Sequence, residues 1–195
     1  MSEHGGSPDA RLRLFVACEL PDAARAALAA WGKEAAAGDR ALRPLDGDAL
    51  HITLHFIGWQ AQSRVEGLAA ALRDGAAGAT SPVRLRLGAA LWLAPRRPHV
   101  LTCAVEDRTG ALGALQAQLA EPLARSAADW RPEQRPFRPH VTVARVRRGD
   151  RPRPGTEPAP PAGDVTAAAL TLMRSHLSAA GARYEAVEQV LLPQD

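Results

Sequence analysis

Hydrophobic and polar positions along this chain fall into short segments whose period changes repeatedly. Arg11 to Leu20 alternates and is rich in apolar residues, which predicts a strand. Pro21 and Asp22 open a helix with Ala24, Ala27, Leu28, Trp31 and Ala35 on one face, and Gly38 ends it. A second strand is expected over Ala49 to Gly58. Gln62 to Gly75 carries Val65, Leu68 and Leu72 at helical spacing with Gly75 as its stop, and a third strand covers about Val83 to Leu93. The pattern then starts again, with a strand over His99 to Glu106 and a helix marked by Leu112, Leu115 and Leu119, which Pro122 ends or bends. Arg138 to Val146 is the next strand. The Pro- and Arg-rich stretch Arg147 to Asp164 reads as an extended, mobile loop. Ala168 to Leu177 and Arg183 to Leu192 close the chain as a hairpin turning through Ser178 to Ala182.

This order hides a duplication. Arg11 lies 40 positions before His51, and His99 lies 41 before His140. A strand–helix–strand unit therefore occurs twice, and each copy carries His-x-Thr on its second strand. The expected fold is α+β, with two pseudo-symmetric lobes of mostly antiparallel sheet, outer helices, and equivalent sites facing each other across a central cleft. Residues 1–195 read as a single bilobal domain with a short tail over 1–10.

Side chains alternate along a strand. His51 and Thr53 thus share one face, backed by Ile52, Leu54 and Phe56, while His140 and Thr142 are backed by Val141 and Val143. With six His and eight Thr in 195 residues, random placement gives roughly 0.25 His-x-Thr matches. A single copy would read as a structural histidine on a half-buried strand; the pair at equivalent positions carries the weight. Two imidazoles, one neutral and one protonated, can take a proton from an attacking water and give one to a departing sugar oxygen. A hydroxyl two residues from each can hold the phosphate oxygens as phosphorus becomes five-coordinate. The set fits phosphodiester cleavage with no cofactor and no metal.

Composition narrows the classes further. No apolar run approaches the ~18–20 residues of a membrane span, and the first residues lack an apolar signal core, so a cytoplasmic protein is expected. Cys18 and Cys103 sit singly in apolar runs and read as buried free thiols. The net charge is only +3, yet eight arginines crowd Arg131 to Arg153 against Glu133 and Asp150. Such a cluster suits a phosphate-bearing partner, although a solvated basic loop has the same composition. His55 completes an HxxxH with His51, but on a strand the two lie roughly 13 Å apart, too far to share a zinc ion. By parity His55 belongs on the His51 face, lining the cleft. Arg138 has the parity of His140 and Arg145 the opposite parity; both stay outside the catalytic set. His99 and His176 read as structural or exposed, and Trp31, Trp59, Trp92 and Trp130 as packing residues in preference to base-stacking ones.

The segments RLFVACELP, LHITLHFIG, FRPHVTVARV and SHLSAAGARYEAVEQVLL together resemble the 2H phosphoesterase superfamily. Within it they are most similar to the bacterial RNA 2′,3′-cyclic phosphodiesterases, also called 2′-5′ RNA ligases. The resemblance implies that His51 is the proton donor and His140 the proton acceptor, with Thr53 and Thr142 holding the phosphate. It implies hydrolysis of a 2′,3′-cyclic phosphate to a 2′-phosphate on RNA ends, such as those of tRNA fragments. A monomer is expected. Ligation of RNA halves is the same chemistry with a ribose 5′-hydroxyl in place of water, and a non-catalytic RNA-end binder is the alternative outside enzymes. The chain departs from the family pattern at Arg147 to Asp164, where a short helix would be expected.

Overall fold

The computed structural model describes residues 10–94, 96–178 and 181–194; the N-terminal tail up to residue 9 and the tip of the last turn lie outside them. In chain order the elements are β1 (Arg11–Glu19), α1 (Asp22–Gly38), β2 (Leu42–Pro44), β3 (Ile52–Ala61), α2 (Val65–Ala76), β4 (Arg84–Leu93), β5 (Val100–Glu106), α3 (Ala111–Ser126), β6 (His140–Val146), β7 (Gly163–Thr166), β8 (Ala169–Ser178) and β9 (Gly181–Leu191). The strands form one sheet in the order β7-β4-β5-β6-β3-β1-β8-β9, with β2 added to β6, and its pairings are antiparallel. No helix among the described residues is long and apolar enough to cross a membrane.

The duplication shows in that order. β1 and β3 lie beside β8 of the second unit, and β5 and β6 lie beside β4 of the first, so each half borrows a strand from the other. The two lobes are therefore halves of one continuous sheet. They meet at β3 and β6 through a single registered pair, Ile52 opposite Val141. These residues directly follow His51 and His140, so a pseudo-two-fold axis passes between the two His-x-Thr strands. Cys18 opposite Ile52 and Cys103 opposite Val141 hold equivalent positions, and both thiols are buried and free.

The helices pack on the face of the sheet turned away from the paired histidines. Leu28, Trp31, Leu68, Leu72, Leu119 and Leu123 meet Val16, Ile52, Val141, Val143, Leu170 and Leu172 in one core. Ala27, expected on the packed face of α1, is exposed, and Gly32 is buried in its stead. A Cβ at Gly32 would stand 2.8 Å from the carbonyl oxygen of Val143, so the absence of a side chain lets α1 lie directly on β6. Helix α3 continues through Pro122 to Ser126, because the fully buried Leu123 holds the last turn despite the lost backbone bond.

The segment after β6 is not the free loop that its composition suggests. Asp39, buried at the end of α1, accepts hydrogen bonds from the backbone N–H of Ala41 (3.0 Å) and Arg153 (2.7 Å). Trp31 Nε1 donates to the Pro158 carbonyl at 2.9 Å, and Trp92 Nε1 to the Glu157 carboxylate at 3.1 Å. Prolines fix much of the backbone in advance, so a few distant bonds suffice to pin it. It forms no helix and runs into β7.

Candidate active site

Both His-x-Thr strands carry the same irregularity. In β3, Thr53 pairs with Ala17 and His55 with Val16, leaving Leu54 as an extra residue. In β6, Thr142 pairs with Thr102 and Ala144 with Leu101, leaving Val143 extra. Such a bulge inverts side-chain parity beyond it. Leu54 and His55 are buried consecutively, as are Val143 and Ala144, and the residues five after each histidine, Phe56 and Arg145, emerge on the histidine face.

Three expectations from unbroken alternation are thereby corrected. Phe56 leaves the apolar back and lines the site. Arg145 joins the site in spite of its nominal parity. His55 leaves the cleft for the core, where its Nε2 lies 2.7 Å from the Gln116 carbonyl oxygen and Trp130 meets it edge-on at 5.4 Å. Burial lowers its affinity for a proton.

His51, Thr53, His140 and Thr142 converge on one cavity of about 190 Å³, which Arg145, Arg13, Phe15, Phe56 and Tyr184 also line. The two imidazoles are anchored alike. Nδ1 of His51 donates to the Ala49 carbonyl at 2.9 Å, and Nδ1 of His140 to the Arg138 carbonyl at 2.8 Å. A carbonyl can only accept, so Nδ1 carries the hydrogen of the neutral ring and Nε2 is the nitrogen left to exchange a proton. The hydroxyls of Thr53 and Thr142 bond to no protein group among the described residues and are open to a ligand. Arg13 stacks over Phe56 at 4.4 Å and donates to Ser175 Oγ at 3.2 Å.

The histidines differ in their surroundings. Phe15 packs on His51 at 4.9 Å between ring centroids, and Tyr184 meets it edge-on at 5.2 Å. Burial is the main force that pushes His51 down from 6.5 to about 4. The Ala49 carbonyl and Glu19 pull it back up, while Arg145 and His140 push it lower.

Of the remaining candidates, Arg138 contributes its carbonyl and keeps its side chain exposed outside the cavity. His176 Nε2 lies 2.7 Å from the Glu185 carboxylate, away from the site. Trp31 is buried as expected, whereas Trp59 is exposed. Among the described residues no three His, Cys, Asp or Glu side chains are grouped to hold a metal ion. Phe56 and Arg145 hold equivalent positions, five residues after the histidine of their motifs, but in an unbroken strand that offset points away from the histidine face, so alternation alone hides them. Tyr184 arrives from β9, and no local signal announces it.

A comparison with curated proteins finds no match. Among solved structures, a protein of Thermus thermophilus superimposes with a TM-score of 0.73 and is 27% identical, covering 93% of this chain and 98% of its own. LigT of E. coli, crystallised with 3′-AMP, gives a TM-score of 0.72 at 27% identity, over 95% of this chain and 100% of its own. The curled, mostly antiparallel α+β sheet is thus a LigT-like fold. The family model of the 2′-5′ RNA ligase superfamily matches residues 15–179, which take in both bulged strands and most of the cavity. The chain belongs to that superfamily, the 2H phosphoesterases.

Proposed function

We propose that this protein hydrolyses 2′,3′-cyclic phosphates at RNA ends to 2′-phosphates. The observation that carries the reading is the pair of Nδ1-anchored imidazoles on either side of a pseudo-two-fold axis, beside two open hydroxyls. In-line displacement at phosphorus needs attacking and leaving oxygens on opposite sides, and a two-fold pair of proton-transfer groups suits that need. Thr53, Thr142 and Arg145 receive the non-bridging oxygens. His140 takes a proton from water as the water oxygen bonds to phosphorus. The P–O3′ bond breaks and His51 protonates O3′. His51 ends neutral and His140 protonated, and one proton exchange with solvent resets the pair.

A lowered pKa makes the His51 imidazolium a stronger acid toward the departing alkoxide, and the negative charge of the substrate offsets the cost of charging it. A ribonucleotide bound to LigT supports a nucleotide as the occupant. The test is a short RNA with a 2′,3′-cyclic phosphate, incubated with and without EDTA and read by mass and end-group analysis. The expected product is a 2′-phosphate, formed equally in both. A joined product on addition of 5′-hydroxyl RNA would assign the site to ligation, and no turnover of any cyclic phosphate would overturn the proposal.

The acid limb of kcat/KM is expected near pH 4. The reacting state holds one proton between the two imidazoles, and the second proton, which stops the reaction, enters only when His51 is charged as well, at about 4. Between that value and the ~6.5 of an open imidazole, activity should hold where an unburied pair would already be failing. Tyr184→Ala admits water to the ring, weakens the burial effect and should move the limb upward. A limb that stays in place would show that Tyr184 does not set it.

A further inference from the structure

Two clefts larger than the reacting cavity lie beside it. One of about 1000 Å³ opens between the end of α1 and the pinned segment after β6, and another of about 860 Å³ lies on the far side of that segment. Arg147 and Arg151 stand on the ridge between them and line both; Lys33 and Arg40 face the first, Arg97 and Arg148 the second. None of these six is in an ion pair among the described residues, whereas arginines elsewhere, Arg73 and Arg86 among them, hold carboxylates. The carboxylates in the clefts do not neutralise them. Asp39 is occupied by backbone N–H groups, which leaves Asp150. So many unneutralised cations on one surface repel one another unless a polyanion lies across them.

The ridge is also fixed in place. Arg147 N–H donates to the Ala41 carbonyl at 2.8 Å and Arg153 N–H to Asp39 at 2.7 Å, so the guanidinium groups are displayed from an anchored backbone. β6 connects this surface directly to the chemistry. Arg145 lines the reacting cavity and Arg147 lines both clefts. Two strand residues span about 7 Å, a step of one nucleotide. Leu45 and Pro44, adjacent on the neighbouring chain segment, divide between cavity and first cleft in the same way.

We propose that this arginine ridge binds the backbone phosphates of the RNA that leads away from the reacting nucleotide. It makes the substrate a polynucleotide end, gripped without regard to sequence through guanidinium–phosphate contacts. The inference rests on the reading that the cavity takes an RNA cyclic phosphate. The test combines Arg147→Gln, Arg148→Gln and Arg151→Gln, leaving Arg153 because its side chain holds the Gly38 carbonyl.

For a ten-nucleotide RNA ending in a 2′,3′-cyclic phosphate, KM should rise about tenfold or more at low salt. The slope of log KM against log salt should flatten by roughly 2, near 0.7 for each lost single-strand contact. Hydrolysis of a mononucleotide 2′,3′-cyclic phosphate should be unchanged, which also reports intact folding. Equal losses on both substrates, or no loss on either, would overturn the ridge. Fluorescence anisotropy with the same RNA ending in a 3′-hydroxyl reads binding without reaction. Arginine-dependent, salt-sensitive binding by a protein that opens no cyclic phosphate would sink the proposed reaction and keep the ridge. Arginine-independent binding, or displacement of the RNA by poly-glutamate at equal charge, would sink the ridge itself.

Discussion

His51→Ala and His140→Ala should each lose roughly 10²–10⁴ in kcat/KM on an RNA 2′,3′-cyclic phosphate, the usual span for a general acid or base. Neither side chain belongs to the packed core, so both variants should fold. A p-nitrophenyl phosphodiester separates their roles. Its leaving group departs without a proton, while the attacking water still needs a base. His51→Ala should therefore regain most of its rate on that substrate, and His140→Ala should stay slow on both. Rescue of His140→Ala would exchange the roles, and rescue of neither would reduce the two side chains to holding the phosphate. A pH profile cannot make this distinction. A proton on His51 with neutral His140 and the converse have the same total protonation, so either assignment gives the same limbs.

In the candidate site, His51, Thr53, His140 and Thr142 were legible because their signal is local. Period-two alternation, and a motif that stands 40 and 41 residues from the start of its two units, can be read along the chain. The bulges were not legible, because they depend on how many residues the partner strand offers. Leu54 is extra only against Val16 and Ala17, and Val143 only against Leu101 and Thr102. Side-chain alternation holds up to Thr53 and Thr142 and inverts beyond them. That one physical fact misplaced His55, Phe56 and Arg145 together.

Elsewhere the missing information was distance in sequence. β2 and β7, of three and four residues, are too short to show a period. The exchange of β4 and β8 between halves has no trace in linear order, since it follows from which edges remain open after β1–β3 and β5–β6 have paired. Composition likewise describes a proline-rich segment equally well whether it waves or is pinned. What pins the stretch after β6 is Trp31 and Asp39, 127 and 114 residues away from their partners.

Arg145→Ala is the second change expected to be severe, at about 10²–10³ in kcat, the scale seen when a transition-state oxyanion loses a preorganised donor. The non-bridging oxygens gain charge as phosphorus becomes five-coordinate, and the Thr53 and Thr142 hydroxyls bring dipoles but no formal charge. Arg13 already stacks on Phe56 and bonds Ser175. Arg145 is exposed and lines the cavity beside both threonines, with no carboxylate among the described residues that line it. Arg145→Lys restores charge without the planar fork and should fall between the two. The pH profile tells a catalytic role from a merely structural one. Arg145 is among the groups that push His51 down to about 4, so its removal should raise that pKa and shift the acid limb upward. A loss of rate with an unmoved limb and a lowered melting temperature would mean that Arg145 supports the strand and not the phosphate; a kcat within about threefold of the parent would leave the charge to the two threonines alone.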